Sequence, residues 1–303
     1  MSDTIASLRR MIASAGELQS VVRTMKAMAA SSIGQYERSV QSLGDYARTV
    51  ELGLGACFRK AAPDASSPPT ESVASTKSAE RMIGAVVFGS DQGLVGQFNE
   101  VVVEYARQAL ATMGGIPKIW AVGERAHSRL ADSGLPLMGL FNVPGSVKAI
   151  TPLIGQILVA GEELRIQNGS TEFHLFYNRP TSGMVYEPVH QQLLPLDQNW
   201  QHQLAKTPWP TYRLPEVMGN RTATLRTLIR EYLFVSLFRA CAESLASENA
   251  SRLSAMQRAE KNIDELLEDL NSKFHRLRQS SIDEELFDVV SGFEALSENP
   301  SKS

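Results

Sequence analysis

The chain has 303 residues, 43% hydrophobic and 21% charged, with a formal net charge of -3, which leaves room for one large domain or two modest ones and carries no basic excess to advertise nucleic acid. No apolar run reaches the roughly 18 residues of a membrane span. The histidines, His127, His174, His190, His202 and His275, are scattered, and Cys57 and Cys241 lie far apart in sequence in helix-like stretches, so neither a metal cluster nor a disulfide framework is expected.

The opening segment, "MSDTIASLRRMIASAGELQ", has neither a secretory apolar stretch nor a Ser/Arg-rich extension, so structure is expected from the start, in a bacterial style. Apolar residues recur at Ile5, Leu8, Ile12, Ala15, Leu18, Val22, Met25 and Ala29, and continue through Ile33, Tyr36, Val40, Leu43, Ala47, Val50 and Leu54. Steps of three and four mark an amphipathic helix, and the near-heptad spacing suits a coiled-coil seam with phase slips near Ala15 and Ala29. As one helix, Ile5 to Cys57 spans roughly 80 Å.

Residues 59–81, "RKAAPDASSPPTESVASTKSAER", are rich in Pro, Ser, Thr and Ala without periodicity and read as a flexible linker. From Met82 short apolar runs alternate with helical patterns: "IGAVVF", "NEVVVEYARQALATM", "KIWAV", "GERAHSRLADSG", "PLMGLFNV", "AITPLIGQILVAGEELRIQ" and "TEFHLFYN". A last extended stretch, "MVYEPVHQQLLPL", follows a Ser182-Gly183 turn. This alternation predicts a layered α/β domain over 82–196 with mostly parallel strands and an antiparallel edge.

Prolines at 208, 210 and 215 predict an irregular connection over 197–220. From Asn220 or Arg221, apolar residues keep helical spacing to Leu296 with no proline. Leu225 to Leu296 spans roughly 110 Å as one helix. Each terminal helix, 1–58 and 221–303, carries an apolar stripe too long for the central domain to cover, and winding the two stripes together as an antiparallel pair buries both. The predicted fold is thus α+β overall: a long antiparallel coiled coil of the N- and C-terminal helices plus a central layered α/β, Rossmann-like domain.

The stretch "FGSDQGLVGQFN" places three glycines between an apolar strand and a helix and raises the question of a phosphate loop. A Walker loop needs Lys-Ser/Thr after its last glycine, where this chain has Gln97-Phe98; the dinucleotide fingerprint needs G-x-G-x-x-G, whereas Gly89, Gly93 and Gly96 are spaced by four and three. The residues instead predict a structural turn. Gly93 and Gly96 would supply positive φ and tight turning, and Asp91 or Asn99 would satisfy free backbone N–H groups at the start of the next helix.

"SDQGLVGQFN" resembles the S-D-x-G-L-x-G-x-x-N element of the gamma subunit of F-type rotary ATP synthases. "VVRTMKAMAAS" is similar to that family's N-terminal helix, "ESLASENASRLSAMQRAEKN" resembles its E-S-x-A-S-E-x-A-A-R-M-x-A-M stretch, and "LRQSSIDEELFDVVSGFEAL" resembles its C-terminal signature. The resemblance covers nearly the whole chain in the family order. Gln92 replaces the usual Arg or Lys, Val95 the usual Cys and Asp283 the usual Thr, as in a divergent branch. The family's Tyr-Glu-Pro footing on the rotor ring has no match around Tyr212 to Met218, so no ring-contact residue is carried over.

The resemblance implies a noncatalytic central rotor shaft, without cofactor or metal, that couples a membrane ion-translocating ring to ATP synthesis or hydrolysis. Its implied partners are the alpha/beta catalytic hexamer, an epsilon subunit and the c-subunit rotor ring, at the cytoplasmic face of the bacterial plasma membrane as a peripheral protein. It implies contacts with the hexamer from Arg278, Gln279 and Glu285 of the terminal signature, and from Met25, Lys26 and Arg252. Two other readings of the residues stay open. A nucleotide-dependent enzyme on the α/β domain would have Asp91 as its candidate side chain, and a generic coiled-coil adaptor would share the helices.

Overall fold

The structure, a computed structural model, describes residues 4–59, 81–168, 171–181, 185–213, 215–216 and 220–297. The linker expected over 59–81 lies outside them except for its two end residues, and so does the Ser182-Gly183 turn. Eleven elements follow in chain order: α1 (Ile5–Arg59), β1 (Met82–Phe88), α2 (Phe98–Met113), β2 (Ile116–Val122), α3 (Glu124–Asp132), β3 (Leu137–Phe141), α4 (Val147–Asn168), β4 (Thr171–Arg179), β5 (Glu187–Leu194), α5 (Gln198–Lys206) and α6 (Arg221–Ser297). The chain divides into two compact units, Ala29–Arg252 and Met1–Met28 with Leu253–Ser303.

In the unit Ala29–Arg252 the strands form one sheet in the order β3-β2-β1-β4-β5. Pairing is parallel except between β4 and β5, which are antiparallel. The expected parallel sheet with an antiparallel edge is what forms. β1 is buried along Ile83 to Phe88, as a central strand covered on both faces must be. One face packs Ile83, Ala85, Val87 and Phe176 against α2 and α3. The other packs Val86, Phe88 and Leu175 against α4 and against Leu237, Phe238, Cys241 and Leu245 of α6. Burial all round explains why α6 is built of small residues there, Ala240, Ala242, Ser244, Ala246 and Ser247. Cys57 and Cys241 are buried free thiols.

Asn220 caps α6, its side chain accepting the Thr222 N–H at 2.9 Å. Residues 198–206, expected to be irregular, instead form α5, because Asp197 upstream of the prolines accepts the N–H groups of Asn199 and Trp200 and so caps a helix start. α5 packs Leu204 and Trp200 against Val50, Leu54, Leu228 and Tyr232 of α1 and α6.

α1 corrects the expected phase slips. Leu8, Ala15, Ala29, Tyr36, Val50 and Cys57 are buried, with Val22 and Leu43 half-buried between them, a seven-residue spacing without a break. The companion seam runs through Ile12, Gln19, Lys26, Ile33, Val40, Ala47 and Leu54, all buried or half-buried. The slips were illusory because two seam positions are polar, Gln19 and Lys26. Apolar Leu18 and Met25 beside them mimicked a shift in phase.

Candidate functional site

Immediately after β1 the chain is fixed by its own polar groups. Gly89 donates its N–H to the Val122 carbonyl at 2.8 Å. The Ser90 N–H goes to Asn99 Oδ1 and the Asn99 amide returns to Ser90 Oγ, each at 2.9 Å. Asp91 spreads its carboxylate over two distant segments: Oδ1 accepts the Glu124 N–H at the start of α3, and Oδ2 accepts the Val143 N–H between β3 and α4, both at 3.0 Å. A helix N-terminus at the end of a parallel strand is where an α/β domain can hold an external anion. Here the anion is the protein's own.

This geometry corrects the expected wiring of the turn. Asp91 and Asn99 do not cap the next helix; α2 begins at Phe98, its N-cap residue Gln97 makes no side-chain cap, and Asp91 caps α3 instead. Gly96 has the expected positive φ, 57°, but the other left-handed residue is Leu94 at 63°, with Gly93 in an ordinary conformation. A Cβ on Gly93 would meet only Arg125 Nη2 at 3.9 Å, whereas one on Gly89 would lie 2.3 Å from Ala126 Cβ and 2.7 Å from Asn99 Oδ1. Gly93→Ala should therefore leave the unfolding midpoint nearly unchanged, and Gly89→Ala should cost about 1–3 kcal/mol by overpacking. Equal urea midpoints for the two variants would refute that contrast.

Below this turn lies a buried polar seam that the sequence reading did not assemble. Ser251 Oγ donates to the Val95 carbonyl at 2.6 Å, Ser247 Oγ to the Asn178 carbonyl at 3.0 Å, and Asn178 Nδ2 to the Phe98 carbonyl at 2.9 Å. Ser247 and Ser251 of "ESLASENAS" thus tie α6 to β4 and to the glycine turn. Two serines four residues apart, on one face of the helix, were the available signal. Among the described residues no group of His, Cys, Asp or Glu is arranged to hold a metal. A cavity of about 660 Å³ is lined by Arg48, Leu204 and Trp209 among others, and by none of the glycine-turn residues.

The candidate contact residues separate into engaged and free. Arg252, expected on the surface, is only 14% exposed in its side chain and pairs with buried Glu248 at 2.6 Å. Burial raises the Glu248 pKa, and Arg252 opposes the rise. Lys26 and Arg23 of α1 both pair with Glu260 of α6 within the unit Met1–Met28 and Leu253–Ser303, and Gln19 reaches Asp264. Met25 is half-buried, while Arg278, Gln279 and Glu285 are exposed.

The same unit has its polarity partly inverted. Gln19 and Lys26 occupy the seam facing α6, while Leu18, Val21 and Met28 of α1 stand outward, 58%, 54% and 66% exposed. Toward the end of α6, Ile282, Leu286, Phe287, Val289 and Phe293 are also exposed. The seam of this pair thus carries two polar positions among apolar ones, and apolar side chains stand on its outside.

A family model described as ATP synthase matches residues 4–296. The chain is 27% identical over 294 residues to the ATP synthase gamma chain of Moorella thermoacetica, covering 95% of this chain and 98% of the relative. It is 29% identical over 304 residues to that of Methylobacterium nodulans, covering 97% and 99%. The fold is similar to a chain of the rotor of the Euglena gracilis mitochondrial ATP synthase, with a TM-score of 0.59 at 15% identity, over 92% of this chain and 98% of that one. It is also similar to a chain of the central stalk and c-ring structure of the Tetrahymena thermophila mitochondrial enzyme, with a TM-score of 0.54 at 21% identity, over 79% and 99%.

Proposed function

The chain belongs to the gamma family of ATP synthase, and from that premise we propose how its residues do the family's work. It is a noncatalytic subunit, the central rotor shaft of an F-type ATP synthase. It couples rotation of the membrane ring to ATP synthesis or hydrolysis in the surrounding alpha/beta hexamer. The physical basis is differential contact. A rod without threefold symmetry inside a threefold ring presents a different face to each catalytic site, so turning it changes their nucleotide affinities in sequence.

The observation that carries the assignment of contacts is the pairing of polar seam with outward apolar side chains in α1, which supports a cover of protein over that stretch. Arg278, Gln279 and Glu285 are assigned to loops of the hexamer, with Met25 and Lys26 beside the apolar face. Arg252 is withdrawn from that set because Glu248 already holds it. The terminal helices 1–58 and 221–303 serve as the shaft and residues 82–196 as the base toward the rotor ring, with an epsilon subunit as a further rotor partner. No helix among the described residues is long and apolar enough to cross a membrane. The subunit belongs to a membrane-bound complex, and its bacterial relatives support a peripheral place on the cytoplasmic face of the plasma membrane.

The test separates coupling from folding. Arg278→Ala with Gln279→Ala should shift the stability of the purified chain by no more than about 0.5 kcal/mol, as exposed substitutions do. Hydrogen bonds to charged groups are worth about 1.5–3 kcal/mol, so ATP-driven ion pumping by the assembled complex should fall about tenfold or more. Wild-type assembly and pumping in the double variant would remove these residues from the contact set. Nucleotide turnover by the purified chain would count against the noncatalytic role itself.

A further inference from the structure

The geometry points to a proton-controlled clasp between β4 and β5: His174 and His190 share a hydrogen across their rings, and mild acid opens the pairing of the edge strand with the sheet. His174 Nδ1 lies 2.9 Å from His190 Nε2, and His174 Nε2 lies 3.3 Å from Glu172 Oε2. The ring centroids are 5.1 Å apart with planes 27° from parallel, the edge-to-edge geometry of a bond between ring nitrogens, and His190 stacks on Phe176 at 4.9 Å. His174 is 2% exposed. No part of this cluster belongs to the glycine turn or to the proposed contact residues.

Hydrogen bookkeeping fixes the direction of donation. A carboxylate only accepts, so Glu172 takes the N–H from His174 Nε2. A neutral His174 then has its lone pair at Nδ1 and must accept from His190 Nε2–H. The chain of donation runs from β5 to β4, His190 to His174 to Glu172, and Arg81 holds the other Glu172 oxygen. One added proton, on His190 Nδ1, leaves this chain intact. A second protonates His174 Nδ1, and two N–H groups then face each other where one hydrogen bond had been.

The surroundings resist those protons. Burial lowers the pKa of both rings, His174 lowers that of His190 further, and Glu172 only partly offsets the effect at His174. Across the ladders His174 pairs with uncharged Ala85 of β1 and Gln192 of β5. From α2, Tyr105 meets Phe176 edge-on, and Glu104 and Arg107 pair with each other at the surface. Arg81 and Glu172 are paired beside the rings. Because the native rings bind protons less readily than the open chain, stability is full above the ordinary histidine value near 6.5 and is lost as pH falls through the lowered native values. β5 is the strand from which the chain leaves for α5 and α6, so the clasp sets how firmly that exit is held to the sheet.

The test uses the full-length chain with isotope-labelled histidine and amide hydrogen exchange, corrected for the intrinsic effect of pH. The ring nitrogens of His174 and His190 should titrate as a coupled pair below about 6.5. Protection of β5 amides should fall between about pH 7.5 and 5.5 by roughly tenfold for each unit of pKa depression. His190→Gln keeps a donor for His174 Nδ1 but takes up no proton, so it should retain near-wild-type protection at the upper pH and lose less on acidification. Independent titration of the two rings near 6.5, or identical pH profiles in wild type and variant, would overturn the proposal. Should His190→Gln fail to fold, the ring titrations of the wild type decide alone.

Discussion

Replacing Arg252 by alanine should destabilise the unit Ala29–Arg252 by about 3–5 kcal/mol, the cost of leaving a buried charge without its partner. Glu248 is 5% exposed, its Oε2 has no hydrogen-bond partner among the described residues, and Arg252 supplies the one at Oε1. The variant also has a pH signature. With Arg252 gone, nothing opposes the upward pull of burial and of Asp91 on the Glu248 pKa. A raised carboxyl pKa means that the native state holds its proton more tightly than the unfolded chain. Stability is therefore lowest above the raised value and recovers as pH falls toward the ordinary glutamate value near 4.3. The three tryptophans, Trp120, Trp200 and Trp209, all lie in this unit, so their fluorescence during urea unfolding reports its stability. The loss should shrink on mild acidification, and Glu248→Gln should recover part of it in the double variant. A loss below about 0.5 kcal/mol, as for an exposed residue, would return Arg252 to the surface contacts.

The contrast between Arg252 and Arg278 marks how far the sequence alone could be read. Both stand in family-like motifs on one helix, and both were read as exposed charges. What distinguishes them is that Arg252 lies where α6 packs against the central α/β domain, through contacts between residues far apart in the chain such as Ser251 with Val95, whereas Arg278 is exposed. A local signal for Arg252 existed, since Glu248 precedes it by four residues and such pairs meet on a helix, but spacing does not reveal burial. The long helices, the mostly parallel strands of the central domain and their antiparallel edge were legible because periodicity is a local property and strands joined by helices have few arrangements.

Turn chemistry was legible only in part. Asp91 was recognised as a residue that satisfies backbone N–H groups, yet its two partners lie 33 and 52 positions away, on α3 and beyond β3. Gly93 was credited with a left-handed conformation that Leu94 adopts instead, since glycine permits positive φ without requiring it. Polar residues in the α1 seam hid its unbroken heptad. Gln19 and Lys26 reach carboxylates on α6, and such polar seam positions fix register at a cost in stability. That cost falls along the stretch where α1 turns Leu18, Val21 and Met28 outward.

Asp91→Ala should destabilise the same unit by about 3–6 kcal/mol, since hydrogen bonds to a charged acceptor are worth about 1.5–3 kcal/mol each and two are lost. Asp91→Asn keeps one acceptor oxygen but turns an amide N–H toward the other backbone N–H, so it should recover less than half. The variant also settles the phosphate question from the opposite side. In the wild type the Asp91 carboxylate occupies the N-terminus of α3, and inorganic phosphate or ATP should neither bind nor raise the urea midpoint. Removing that carboxylate leaves the Glu124 and Val143 N–H groups without an acceptor at the positive end of a helix dipole. Added phosphate or sulfate should then restore part of the lost stability in Asp91→Ala, beyond the general salting effect seen with wild type. Phosphate that stabilises the wild type as strongly as the variant would mean that the turn binds an external anion after all, and that Asp91 is not the group that fills its place.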